Sequence, residues 1–142
     1  MVSENIDTLS GEVCTPDGGI LVRRMTVAEE FGQWLLEIRL FKVVPGTRKE
    51  FDRISTEGTI PLMRRSGITV LAHGPSLNDE NGYFLLRAFP SEQDRVRHSQ
   101  EFYTTEEWLA EYDEPVSAMI ADYQTSVLPL TPPLIEGLNA IG

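Results

Sequence analysis

Residues 35–47, LLEIRLFKVVPGT, decide the fold. Residues 34–44 are rich in branched and apolar side chains and alternate with the period of a strand. Trp34, Leu36, Ile38 and Leu40 fall on one face; Leu35, Glu37, Arg39, Phe41 and Val43 fall on the other. Pro45-Gly46 stops the strand. Thr47 followed three residues later by Glu50 reads as a capping box, which satisfies two orphan backbone amides, so a helix is expected from about Arg48.

Working outward, Phe51, Ile54, Gly58 and Leu62 share one face of that helix. Gly58 and Thr59 weaken it and Pro61 removes a ladder hydrogen bond, so a kink or a two-segment helix is expected near Ile60. Gly67 is placed to end it in the left-handed conformation. Residues 68–76 read as a second strand, residues 78–82 (NDENG) as a turn, and residues 83–89 as a third strand, making an antiparallel hairpin. Ser91 can cap a polar helix running to about Gln100. Thr104 and Glu107 form a second capping box. Beyond them Trp108, Leu109, Tyr112, Val116, Met119, Ile120 and Tyr123 recur at helical spacing, interrupted by Pro115. Residues 123–130 alternate as a last strand, ended by Thr131-Pro132-Pro133.

The order is strand, helix, strand, strand, helix, strand. Two such split βαβ units give an α+β, ferredoxin-like βαββαβ fold: a four-stranded antiparallel sheet with both helices on one face. The strands carry large apolar groups on both faces. A lone copy would expose more apolar surface than soluble monomers usually show, and packing two sheets face to face would hide it.

These residues also resemble a known family. The strand LEIRLFKVVPG, with Glu37, Arg39, Pro45 and Gly46, the helix end at Pro61 and Gly67, and the aromatic segment Phe102, Tyr103 and Trp108 resemble the NIPSNAP branch of the dimeric α+β barrels. The resemblance spans about 100 residues and implies a homodimer closing into an α+β barrel. It implies no reaction, because such folds host many. Where it implies Gly-Pro-Arg after the tryptophan, this chain has Tyr112-Asp113-Glu114-Pro115, acidic where an arginine would face an anion.

Composition bounds the partners. With 142 residues the chain suits one well-buried domain. Residues 1–32 read as an extension, with Asp17-Gly18-Gly19 as the turn of a small hairpin or else a loosely docked segment, residues 33–131 as the barrel domain, and residues 132–142 as a tail. Met25 is a candidate natural start. A net charge of −10 argues against nucleic acid, whose binding needs basic patches. No apolar run reaches the roughly 20 residues of a membrane span, and the start lacks the basic and apolar regions of a signal, so a cytoplasmic protein is expected. The single Cys14 excludes an intramolecular disulfide, and no histidine pair has metal spacing, so neither metal nor cofactor is expected.

His73, in an apolar strand just before Gly74-Pro75, is the candidate catalytic residue, a general base near neutral pH. The alternative is a strand-end histidine bonded to a neighbour. Arg39, Arg87, Tyr103 and Trp108 are the candidate ligand-binding residues: the arginines as a carboxylate clamp, the aromatics as a pocket wall. Equally, Glu37, Arg39 and Arg87 suit a structural salt bridge, since charges at sheet centres need partners. Three functions fit. One is a homodimeric protein binding a small apolar or aromatic ligand or another partner. The second is a cofactor-independent oxygenase, isomerase or dehydratase acting on an aromatic or polyketide-like substrate. The third is haem binding with His73 as proximal ligand.

Overall fold

In the computed structural model of this protein the described residues are 12–14 and 20–22, as backbone, and 34–141. The chain forms two units, Gln33–Leu130 and the remaining residues, Met1–Gly32 with Thr131–Gly142. In the smaller unit β1 (Glu12–Cys14) pairs antiparallel with β2 (Ile20–Val22), Val13 opposite Leu21. The turn Asp17-Gly18-Gly19 and Met25 lie outside the described residues.

The larger unit opens with β3 (Leu35–Val43), followed by α1 (Arg48–Ile54), a π-helical turn (Ser55–Thr59) and α2 (Ile60–Arg65). Next come β4 (Thr69–Pro75), β5 (Gly82–Phe89) and α3 (Glu92–Phe102). A second π-helical turn (Trp108–Tyr112) leads into α4 (Asp113–Met119) and β6 (Ile120–Pro129). The sheet order is β4-β5-β3-β6, every pair antiparallel, which is the ferredoxin-like arrangement. In the smaller unit the chain ends in α5 (Pro132–Ile141), where Thr131 Oγ1 accepts from the Leu134 amide and the prolines occupy the first turn, which needs no amide donors. The sequence pattern assigned no element there.

Alternation along the strands decides which side chains meet the helices. Val43, Tyr83, Leu85 and Phe89 point from the sheet into one buried cluster with Phe51, Ile60, Met63, Phe102, Trp108, Val116 and Met119. Ile38, Leu40, Phe84 and Leu86 point the other way, and Leu40 is 52% exposed.

The segmented first helix follows the expectation from Pro61, and the break takes the form of the Ser55–Thr59 π-turn. Gly58 has a tertiary reason as well: a Cβ there would stand 2.6 Å from the Tyr112 ring and hydroxyl. Gly67 ends α2 with φ +91°, and Ser91 Oγ caps α3 by accepting from the Asp94 amide at 3.1 Å.

Three local expectations are corrected. Thr47 does not cap α1: its backbone is near-helical (φ −103°, ψ −5°), and its Oγ1 donates back to the Val44 carbonyl at 2.6 Å. Glu50 instead binds Arg53. Thr104 does not cap the Trp108 turn either. Its hydroxyl donates to the Gln100 carbonyl, while the neighbouring Thr105 Oγ1 accepts from the Trp108 amide, and Glu107 pairs with Arg65. The last strand begins at Ile120, three residues earlier than expected. Met119 accepts from the Val44 amide, and Ile120 pairs with Val43 through a bulge, so tertiary pairing overrides the helical spacing of Ile120 and Tyr123.

Candidate functional site

β3 and β5 place Glu37 directly opposite Arg87 at the sheet centre. Both are fully buried. Arg87 Nε and Nη2 lie 2.7 and 2.6 Å from Glu37 Oε1. From α3, Arg95 Nη1 donates to the other oxygen, Oε2, at 2.8 Å, and its outer edge is bound by Glu92. Burial alone would push the Glu37 carboxyl up. The charges of Arg87 and Arg39, with the hydrogen bonds from Arg95 and Arg87, outweigh it and hold the group below the usual carboxylate range.

Arg39, two residues along the same face of β3, is left over. Its Nε stands 3.7 Å from Glu37 Oε1, too far for a hydrogen bond, and is buried without an acceptor among the described residues. Its Nη1 reaches the Tyr103 hydroxyl at 3.4 Å, and its guanidinium lies 5.5 Å from the Tyr123 ring centre.

Arg39 opens onto a cavity of about 380 Å³ between sheet and helices. Phe41, Phe51, Tyr83, Tyr103, Trp108 and Tyr123 are its aromatic lining. Tyr103 and Trp108 meet edge to face, ring centres 4.9 Å apart, and Phe102 buttresses both from the core. Trp108 is held further by its indole N–H donating to Asp113 Oδ1 at 3.1 Å. Ser99 also lines the cavity, and its Oγ is buried without a hydrogen-bond partner among the described residues.

Of the expected ligand-binding residues, Arg39, Tyr103 and Trp108 therefore converge on one cavity. Arg87 does not line it, because its guanidinium is engaged by Glu37. His73 lies on the edge strand and is not among the lining residues either. Tyr83 gives its one hydroxyl hydrogen to Asp52 Oδ1 at 2.7 Å. At 2.8 Å from that hydroxyl, His73 Nδ1 must then carry the hydrogen and donate it to Tyr83. Burial lowers the imidazole pKa against the pull of the Asp52 charge, with Arg64 adding to the lowering. Burial and the bond to Asp52 raise the Tyr83 phenol well above its usual range.

Sequence reasoning missed Ser99 and Tyr123. Ser99 sits in a helix of charged residues where nothing marks it, and Tyr123 carried a helical periodicity that the strand overrode. Among the described residues no three His, Cys, Asp or Glu side chains converge as metal ligands, and no helix is long and apolar enough to cross a membrane.

The fold is that of NIPSNAP-family proteins and their ferredoxin-like relatives. A NIPSNAP family protein from Agrobacterium tumefaciens superposes with a TM-score of 0.64 at 15% identity, over 71% of this chain and 91% of that one. A NIPSNAP-like domain protein from Burkholderia xenovorans gives 0.62 at 16% identity, over 68% and 84%. A second A. tumefaciens NIPSNAP family protein, of unknown function, gives 0.62 at 15%, over 68% and 86%. No protein-family model matches the sequence, and no curated protein matches it.

Proposed function

We propose that this chain is a homodimeric small-molecule-binding protein that holds an apolar or aromatic ligand between its sheet and its helices. One observation carries the reading. A cavity of about 380 Å³ falls in the range of ligand sites and is walled by aromatic rings. A core built only for stability would close such a space, since interiors pack to crystal density.

The dimer is supported by the opposite face of the sheet. Ile38, Leu40, Phe84 and Leu86 line a broad concavity of about 700 Å³ there, with Leu40 half exposed. A second copy of the same face is the partner that the NIPSNAP resemblance implies. His73 enters this reading as the group that holds Tyr83 in the cavity wall, not as a base.

Native mass spectrometry of the purified protein is the direct test. The expected result is a dimer mass carrying a small co-purified molecule that dissociates on activation. A monomer at micromolar concentration would remove the dimer. A cavity that takes up no hydrophobic probe in solution would remove the binding reading.

A further inference from the structure

We infer that the ligand is an organic monoanion, an aromatic carboxylate seated on Arg39 and Ser99 with its ring against Tyr103 and Trp108. This rests on the cavity reading above and names the class of molecule it takes. The first support is charge. Three arginines, Arg39, Arg87 and Arg95, surround the one carboxylate of Glu37, and its two oxygens are claimed by Arg87 and Arg95. Glu92 answers the outer edge of Arg95. Arg39 keeps a positive charge that Glu37 answers only from 3.7 Å, and among the described residues its one hydrogen bond is a long one to the Tyr103 hydroxyl. Unlike Lys, Arg cannot shed its proton to escape burial.

The second support is donor geometry. Among the described residues Arg39 Nε and Ser99 Oγ are both buried and without a hydrogen-bond partner, and both residues line the same cavity. Leaving such groups unpaired costs stability, and an oxygen acceptor that reached either one would relieve it. A carboxylate provides acceptors only, two of them, with the charge that Arg39 lacks. The acidic group in the lining, Asp113, is exposed and already accepts from the Trp108 indole, so it does not neutralise Arg39.

The experiment compares 1-naphthoate with its neutral isostere 1-naphthamide by titration calorimetry at neutral pH and low salt. Naphthoate should bind about tenfold tighter or more, the scale of a charge-assisted hydrogen bond. Arg39→Gln should abolish that preference, and Arg39→Lys should restore part of it. Ser99→Ala, which leaves the ion pairs intact, should weaken naphthoate several-fold more than naphthamide, a check that does not depend on the Arg39 variants folding. Equal or tighter binding of naphthamide by the unaltered protein would overturn the anion class and leave the cavity reading standing. Naphthoate affinity unchanged in Arg39→Gln would overturn the seat. Failure of both probes to bind at about 1 mM would overturn this inference and the cavity reading together.

Discussion

Glu37 and Arg87 face one another across β3 and β5, closest atoms 2.6 Å apart, with neither side chain exposed. Their opposition is set by strand register, so the pair both needs the fold and reports on it. Removing Arg87 still leaves Glu37 with Arg95 and the more distant Arg39, whereas removing Glu37 leaves Arg87 buried without a countercharge. Glu37→Leu should cost about 3–5 kcal/mol in urea unfolding by stranding Arg87, and the double change Glu37→Leu/Arg87→Met should recover part of the loss. A single mutant within about 1 kcal/mol of the parent would show that water reaches the pair.

The same carboxylate sets an acid limit. Glu37 titrates below its unfolded value of 4.5. Its stabilising contribution is therefore whole above that pH and is lost as pH falls through the lowered folded value. Urea midpoints of the parent and of Glu37→Gln, followed from neutral pH downward, should converge in acid. Curves that stay parallel to pH 3 or so would assign the acid sensitivity to other groups.

Gly58 invites a stabilising substitution that should fail. Alanine in a helix interior gains about 1 kcal/mol over glycine. Here the new Cβ would meet the Tyr112 ring at 2.6 Å, so Gly58→Ala should cost about 1–3 kcal/mol by overpacking. In a Tyr112→Ala background the sign should reverse. Thermal melts of the four proteins decide it, and a stabilised single mutant would mean that Tyr112 swings away freely.

His73 donates to Tyr83, whose own hydrogen goes to Asp52. With the imidazole gone the hydroxyl retains Asp52, so His73→Ala should lose only about 0.5–1.5 kcal/mol of stability. Naphthoate affinity should be unchanged. Loss of binding with full stability would instead place His73 at the ligand and revive its reading as a functional base.

Much of this was legible from the chain. The alternation of residues 34–44, the stop at Pro45-Gly46, the turn at residues 78–82 and the left-handed Gly67 all act within a few residues, and each feature stands where its pattern placed it. The two capping boxes were not formed as read. Thr47 and Thr104 each have a carbonyl acceptor three or four residues back, and a hydroxyl donates to a nearby carbonyl as readily as it accepts from an amide. The start of β6 was obscured because Ile120 and Tyr123 fit both periods, and the pairing of Ile120 with Val43 settled the choice.

The candidate site divides in the same way. Arg39, Tyr103 and Trp108 were marked by residue type and by their place in patterned segments; Ser99 carried no mark at all. What the sequence determined by itself is the order of strands and helices and the faces they present, because strand alternation and backbone stops are local properties. Only the tertiary structure decided which arginine is left for a ligand. Glu37 has two oxygens, Arg87 reaches one from the neighbouring strand and Arg95 the other from α3, and Arg39 stands 3.7 Å away in the lining of a cavity. That allocation follows from distances between segments 50 and 58 residues apart, which no local pattern encodes.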